Sequence, residues 1–113
     1  NAVAYQGLGC AYGESGKYKE AIESYKQAIR IDPDLVLAHY NLGTAYGELG
    51  KHQEAIESFK HAIRIDPDHA GAHKNLGVAY VELNKRNSAL EQYKILKKLD
   101  TEKANKLFDR IYK

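Results

Sequence analysis

A Leu-Gly-x-Ala-Tyr string occurs three times in this chain, and its glycines, Gly9, Gly43 and Gly77, are each 34 residues from the next. The copies are long. Between residues 2–35 and 36–69, 22 of the 34 positions are identical. A fixed period of this length means stacked supersecondary units, each burying its apolar face against its neighbours, rather than one undivided core. With 113 residues the chain is one domain's worth, read as repeats 2–35, 36–69 and 70–103 with a closing helix over 101–113.

Each unit reads as two helices. In the first unit Ala4, Leu8, Ala11 and Tyr12 share one side at helical spacing, and Ala21, Ile22, Tyr25, Ala28 and Ile29 do the same further on. Gly16 separates the two stretches, and glycine takes the left-handed helix-ending conformation without a Cβ penalty. Gly50 holds that place in the second unit and Asn84, the usual substitute, in the third. Asp32-Pro33 and Asp66-Pro67 end the second helices, because proline pushes the preceding residue out of the α region. Asp34 then stands as the expected N-cap of the next helix.

Gly43 sits inside a helix, where glycine costs about 1 kcal/mol relative to alanine. Its recurrence at 9 and 77 points to a close approach by another helix, and Ala21, Ala55 and Ala89 stay small to match. The third unit drifts, with Leu96 for the alanine of Ala28 and Ala62, and Thr101 for proline. The chain closes on an amphipathic helix. Its apolar residues are Ala104, Leu107, Phe108, Ile111 and Tyr112; Lys103, Lys106, Asp109, Arg110 and Lys113 form a polar outer face. Terminal units of stacked arrays need such a lid.

These residues closely resemble the tetratricopeptide repeat family, a 34-residue helix-turn-helix unit with the pattern W-x2-L-G-x2-Y, A-x3-F, A, P. The first unit supplies Tyr5, Leu8, Gly9, Tyr12, Ala21, Tyr25, Ala28 and Pro33. The second supplies His39, Leu42, Gly43, Tyr46, Ala55, Phe59, Ala62 and Pro67, and the third His73, Leu76, Gly77, Tyr80, Ala89 and Tyr93. The tryptophan position is filled by Tyr5, His39 and His73, and the two histidines read as half-buried ring fillers. The resemblance implies an all-α, right-handed helical-hairpin solenoid. Its first helices line a concave groove for an extended peptide or a partner helix.

The side of each first helix opposite the packed one varies between units, as a customised surface on a constant scaffold does. The candidate groove residues are Val3, Gln6, Cys10 and Glu14; Leu37, Tyr40, Asn41, Thr44 and Glu48; and Lys74, Asn75, Val78 and Glu82. Leu37 and Tyr40 form an apolar platform, and the amides of Asn41 and Asn75 can clamp a peptide main chain. Glu14, Glu48 and Glu82 recur at one position, a row suited to attracting a basic side chain. One subgroup of the family binds chaperone carboxyl ends through lysines, asparagines and an arginine. The corresponding residues here are Gln6, Cys10, Asn41, Gly71 and Asn75, of which only Asn41 fits that pattern.

Other functions find little support. No nucleophile, positioned base or oxyanion hole is evident, so the chain reads as non-catalytic, without a cofactor. His69 and His73 are spaced i, i+4 but lack a third metal ligand, and the lone Cys10 excludes an internal disulfide. A net charge of +2 calls for neither nucleic acid nor an anionic membrane, and no apolar run is long enough to span a bilayer. Charge is uneven, however: from Lys85 onward there are 9 basic and 4 acidic residues, and an acidic partner on this tail is one alternative. The absence of methionine points to a piece of a longer protein, and the lone thiol suits a reducing compartment such as the cytoplasm. The expected role is a scaffold or adaptor for a protein or peptide. The alternatives are weak self-assembly through the first unit and service as the accessory domain of an enzyme.

Overall fold

A computed structural model describes residues 1–113 and contains seven helices and no strand. The helices are α1 (Ala2–Glu14), α2 (Tyr18–Ile31), α3 (Val36–Glu48), α4 (His52–Ile65), α5 (Ala70–Glu82), α6 (Arg86–Leu99) and α7 (Thr101–Ile111). Each packs on its sequence neighbours, and α1, α3 and α5 lie side by side, with α7 against α5. The body measures 40 × 24 × 20 Å.

The turn within each hairpin is built from backbone. Lys17 N–H donates to Tyr12 O at 2.8 Å and Gly16 N–H to Gly13 O at 3.0 Å, the paired bonds of a Schellman ending. The second and third hairpins repeat both bonds from Lys51 and Gly50, then Lys85 and Asn84. The ending needs positive φ, found at Gly16 (75°), Gly50 (74°) and Asn84 (58°).

Between hairpins the structure corrects the expected cap. The N-cap of α3 is Leu35, not Asp34, and Leu35 makes no side-chain bond. The Asp32 carboxylate instead accepts from Asp34 N–H at 3.1 Å, closing an Asx turn that uses up one more residue before the helix starts. Asp66 and Asp68 repeat it. Where Thr101 replaces proline the turn shrinks: Asp100 both ends α6 and caps α7, accepting from Lys103 N–H at 3.1 Å.

Three apolar clusters make the core, each joining a second helix to the next helix of the chain. Ala21, Ile22 and Tyr25 meet Leu42 and Ala45; Ala55, Ile56 and Phe59 meet Leu76 and Ala79; Ala89 and Leu96 meet Ala104, Leu107 and Ile111 of α7. Capping helix α7 therefore takes the place of a fourth unit's first helix. Phe108 and Tyr112, expected on its packed side, are 42% and 52% exposed; they stack on each other, and Phe108 stacks on Tyr93.

The repeated glycines have one cause with two variants. A β-carbon on Gly43 would lie 2.6 Å from the Phe59 ring, and one on Gly9 2.5 Å from the Tyr25 ring. The close approach is thus by an aromatic side chain of the same hairpin rather than by backbone. At Gly77 the intruder is Leu107 of α7. His39 and His73 are buried, and each places Nε2 against a proline carbonyl, Pro33 O at 2.9 Å and Pro67 O at 2.7 Å.

Candidate functional site

Clefts remain between the first helices, and small residues such as Gly13, Thr44 and Gly47 line them. One of about 490 Å³ lies between α3 and α5, lined among others by Thr44, Glu48, Lys74, Asn75, Val78 and Glu82. A second, of about 320 Å³, lies between α1 and α3 and is lined by Cys10, Glu14, Asn41, Thr44 and Glu48. Thr44 and Glu48 border both, which makes α3 the shared wall. Nine of the candidate residues come together in this way.

The other four do not line either cleft. Val3 and Leu37 are 69% and 53% exposed near the starts of α1 and α3. Gln6 is half-buried, and its side-chain oxygen is buried without a hydrogen-bond partner. Tyr40, expected as an open platform, is half-buried in the wall, with its ring centroid 4.8 Å from that of His69 and 6.0 Å from that of Phe59.

The asparagines link neighbouring helices. Asn75 Nδ2 donates to the Tyr40 hydroxyl at 3.2 Å, and Asn41 Nδ2 approaches Cys10 Sγ at 3.6 Å. Neither amide oxygen takes part in a hydrogen bond within the chain, so both acceptors are free. Cys10 also receives the Tyr25 hydroxyl at 3.5 Å. Burial, reinforced by that bond, pushes the Tyr25 phenol well above the usual tyrosine range.

Charge in the groove is mixed. Glu82 is drawn to Arg110 at 3.8 Å, so the glutamate row is partly neutralised at its end. Arg110 and His52 also line the larger cleft, and sequence reasoning missed both. Periodicity puts Arg110 on the outward polar face of α7; with α7 packed beside α5, part of that face borders the groove. The signal is present in the Leu107 register, but only the seating of α7 gives it a direction.

No group of three His, Cys, Asp or Glu side chains is placed to hold a metal ion. His69 accepts from Ala72 N–H at 3.0 Å, while His73 faces Pro67 O and Gln92 Oε1, each at 2.7 Å. No helix is long and apolar enough to cross a membrane.

A TPR-repeat family model matches residues 9–50, and a tetratricopeptide-repeat model matches residues 36–69. No curated protein matches the chain by sequence. Among solved structures, the second TPR domain of human RPAP3, in complex with an HSP70 peptide, is 29% identical over 99% of this chain and 95% of its own, with a TM-score of 0.92. The second TPR of Spaghetti (RPAP3), bound to the HSP90 peptide SRMEEVD, is 29% identical over 88% of this chain and 92% of its own, with a TM-score of 0.85. MamA is 30% identical over 93% of this chain but only 61% of its own, with a TM-score of 0.87. With three in-register hairpins, left-handed hairpin turns and glycines seated under large side chains, the chain belongs to the tetratricopeptide repeat family.

Proposed function

We propose that this protein-binding scaffold holds its partner as an extended peptide across α3, with Asn41 and Asn75 receiving peptide N–H groups. The observation that carries this reading is the orientation of the two amides. Each commits its nitrogen to the neighbouring helix, at Cys10 and at the Tyr40 hydroxyl, and leaves its oxygen without a partner at the cleft. Peptide N–H groups are the natural complement of such acceptors. Leu37, exposed at the start of α3, adds an apolar contact. Two similar domains are seen with chaperone peptides. At the positions of the chaperone-binding subgroup's two-carboxylate clamp the chain holds Gln6, Cys10, Asn41, Gly71 and Asn75, of which only Asn41 fits, and this favours a different peptide.

Peptides selected from a display library against the whole chain test this. Leu37→Glu should weaken their binding about tenfold or more, and Tyr40→Phe should do so through the loosened Asn75 amide. Lys26→Ala and Lys60→Ala, on the second helices, should leave it unchanged. Tyr40→Ala should abolish binding, since an aromatic anchor often carries about 2 kcal/mol or more; because Tyr40 is part of the wall, it is compared with Leu37→Glu. Selected peptides that ignore Leu37 and Tyr40 but are lost on changing Lys97 or Lys98 would move the site to the basic C-terminal helices.

A second reading, self-association through α1, has its own observation. Leu8 is 44% exposed, whereas its counterparts Leu42 and Leu76 are 8% and 3% exposed.

A further inference from the structure

Positive charge gathers at the α5–α7 end of the groove. Lys74 lines the larger cleft beside Asn75 and Arg110. It takes part in none of the ion pairs of the molecule, which are Lys94–Glu91, Lys103–Asp100, Lys106–Glu102 and Arg110–Glu82. Glu48 and Glu82 line the same cleft, but the charges that act on Lys74 most strongly are those of cations. Leu107 sits on Gly77, so α7 runs beside α5, and Lys103, Lys106 and Arg110 succeed one another along it at i, i+3 and i+7. Burial, and then the fields of Lys106, Arg110 and Lys103, hold the Lys74 ammonium below the ordinary lysine range. An incoming anion would relieve that repulsion.

The carboxylates nearby are poor competitors. Glu102 reaches Lys106 at 3.5 Å with both side chains mostly in solvent, and Glu82 reaches Arg110 only at 3.8 Å. Exposed pairs of this kind contribute about 0–1 kcal/mol and exchange readily. The cations are also spread out, with Lys106 and Arg110 about 6 Å apart along the helix axis. One terminal carboxylate does not span that length. Two acidic side chains at i and i+2 of an extended peptide, about 7 Å apart, do so better.

We propose that the α5–α7 end of the groove receives paired acidic side chains of the bound peptide, with Lys74 as the central contact and Lys106 and Arg110 flanking it. This rests on the groove reading, and its cations lie outside the clamp positions Gln6, Cys10, Asn41, Gly71 and Asn75. Charge complementarity names the occupant as an internal Glu-x-Glu or Asp-x-Asp segment.

Fluorescence anisotropy at low salt tests it with three labelled decapeptides of one apolar sequence: amidated with Glu-x-Glu, amidated with Gln-x-Gln, and Gln-x-Gln with a free carboxyl end. The Glu peptide should bind at least tenfold more tightly than either Gln peptide, and salt should erode the difference. Lys74→Glu and the exposed Lys106→Glu should each shrink the preference, and together remove it, with the fold checked by circular dichroism. Equal affinities, no measurable binding of the Glu peptide, a preference that survives both reversals, or one carried by the free carboxyl end alone overturns the proposal. So does equally tight, reversal-sensitive binding of a poly(U) RNA probe. A Glu preference kept in Leu37→Glu supports the cationic site and removes the groove reading; apolar binding kept without a Glu preference does the reverse.

Discussion

The Cδ2 atom of Leu107 lies 2.5 Å from where a β-carbon on Gly77 would be. An aromatic ring fills that space in the first two hairpins, while the third leaves it to a residue thirty positions downstream. The capping helix is thereby keyed into the array. Leu107→Ala should lower stability by about 2–5 kcal/mol, the usual range for a fully buried leucine. Urea denaturation measures it, and hydrogen exchange should show α5 and α7 losing protection first. A loss spread evenly over the chain would speak against the key.

Gly43→Leu should be strongly destabilising, because its side chain must displace the Phe59 ring. Overpacking of this kind typically costs about 1–3 kcal/mol. Phe59→Ala in the same chain should recover part of the loss, so a double-mutant cycle is diagnostic. If Gly43→Leu melts like the parent, the close approach is irrelevant to stability.

Removing residues 101–113 should uncover Ala89 and Leu96 and promote association of the truncated chain. Light scattering on the truncated chain reads this directly. A monomer of unchanged stability would make α7 an appendage.

The start of α7 should loosen in acid. Backbone N–H donation from Lys103 holds the Asp100 carboxyl below its usual range. A depressed carboxylate pKa gives stabilisation that is complete above the unfolded value and is lost as pH falls through the folded one. Protection of the Lys103 and Ala104 amides, relative to their intrinsic exchange rates, should therefore fall below about pH 4. Asp100→Asn, which caps without titrating, should remove that pH dependence.

The uncovered face of α1 should support weak association at millimolar concentration, and Leu8→Glu should abolish it. Sedimentation decides: a parent chain that stays monomeric throughout leaves α1 no role in self-assembly.

Reversing Glu14, Glu48 and Glu82 to lysine should change peptide affinity modestly and only at low salt. All three are exposed, and Glu82 is shared with Arg110. An effect that persists in high salt would mean that the row contacts the peptide at close range.

Much of the fold is legible in the sequence because its determinants are local. A 34-residue period, apolar positions at helical spacing and a residue tolerant of positive φ at 16, 50 and 84 define hairpins whatever surrounds them. The misplaced cap at Asp34 is local too: the Asp32 carboxylate takes the Asp34 N–H in an Asx turn, and the helix starts one residue later, after Leu35. The groove is legible only as a set of faces. Thr44 and Glu48 read as outward-facing, but their place as a wall common to two clefts depends on the spacing of α1, α3 and α5.

Seven helices, their hairpin pairing and the positions that must stay small are written in the residues alone, since periodicity and backbone conformation act over short stretches. Packing between helices is what makes Tyr40 wall as much as contact, and what spends the Asn75 nitrogen on its hydroxyl. Packing also brings Arg110 and Lys74 into one cleft. These are relationships between helices distant in the chain, set by which side chain wins each buried space. Leu107 won the one over Gly77, and its seating carried the polar side of α7 to the groove.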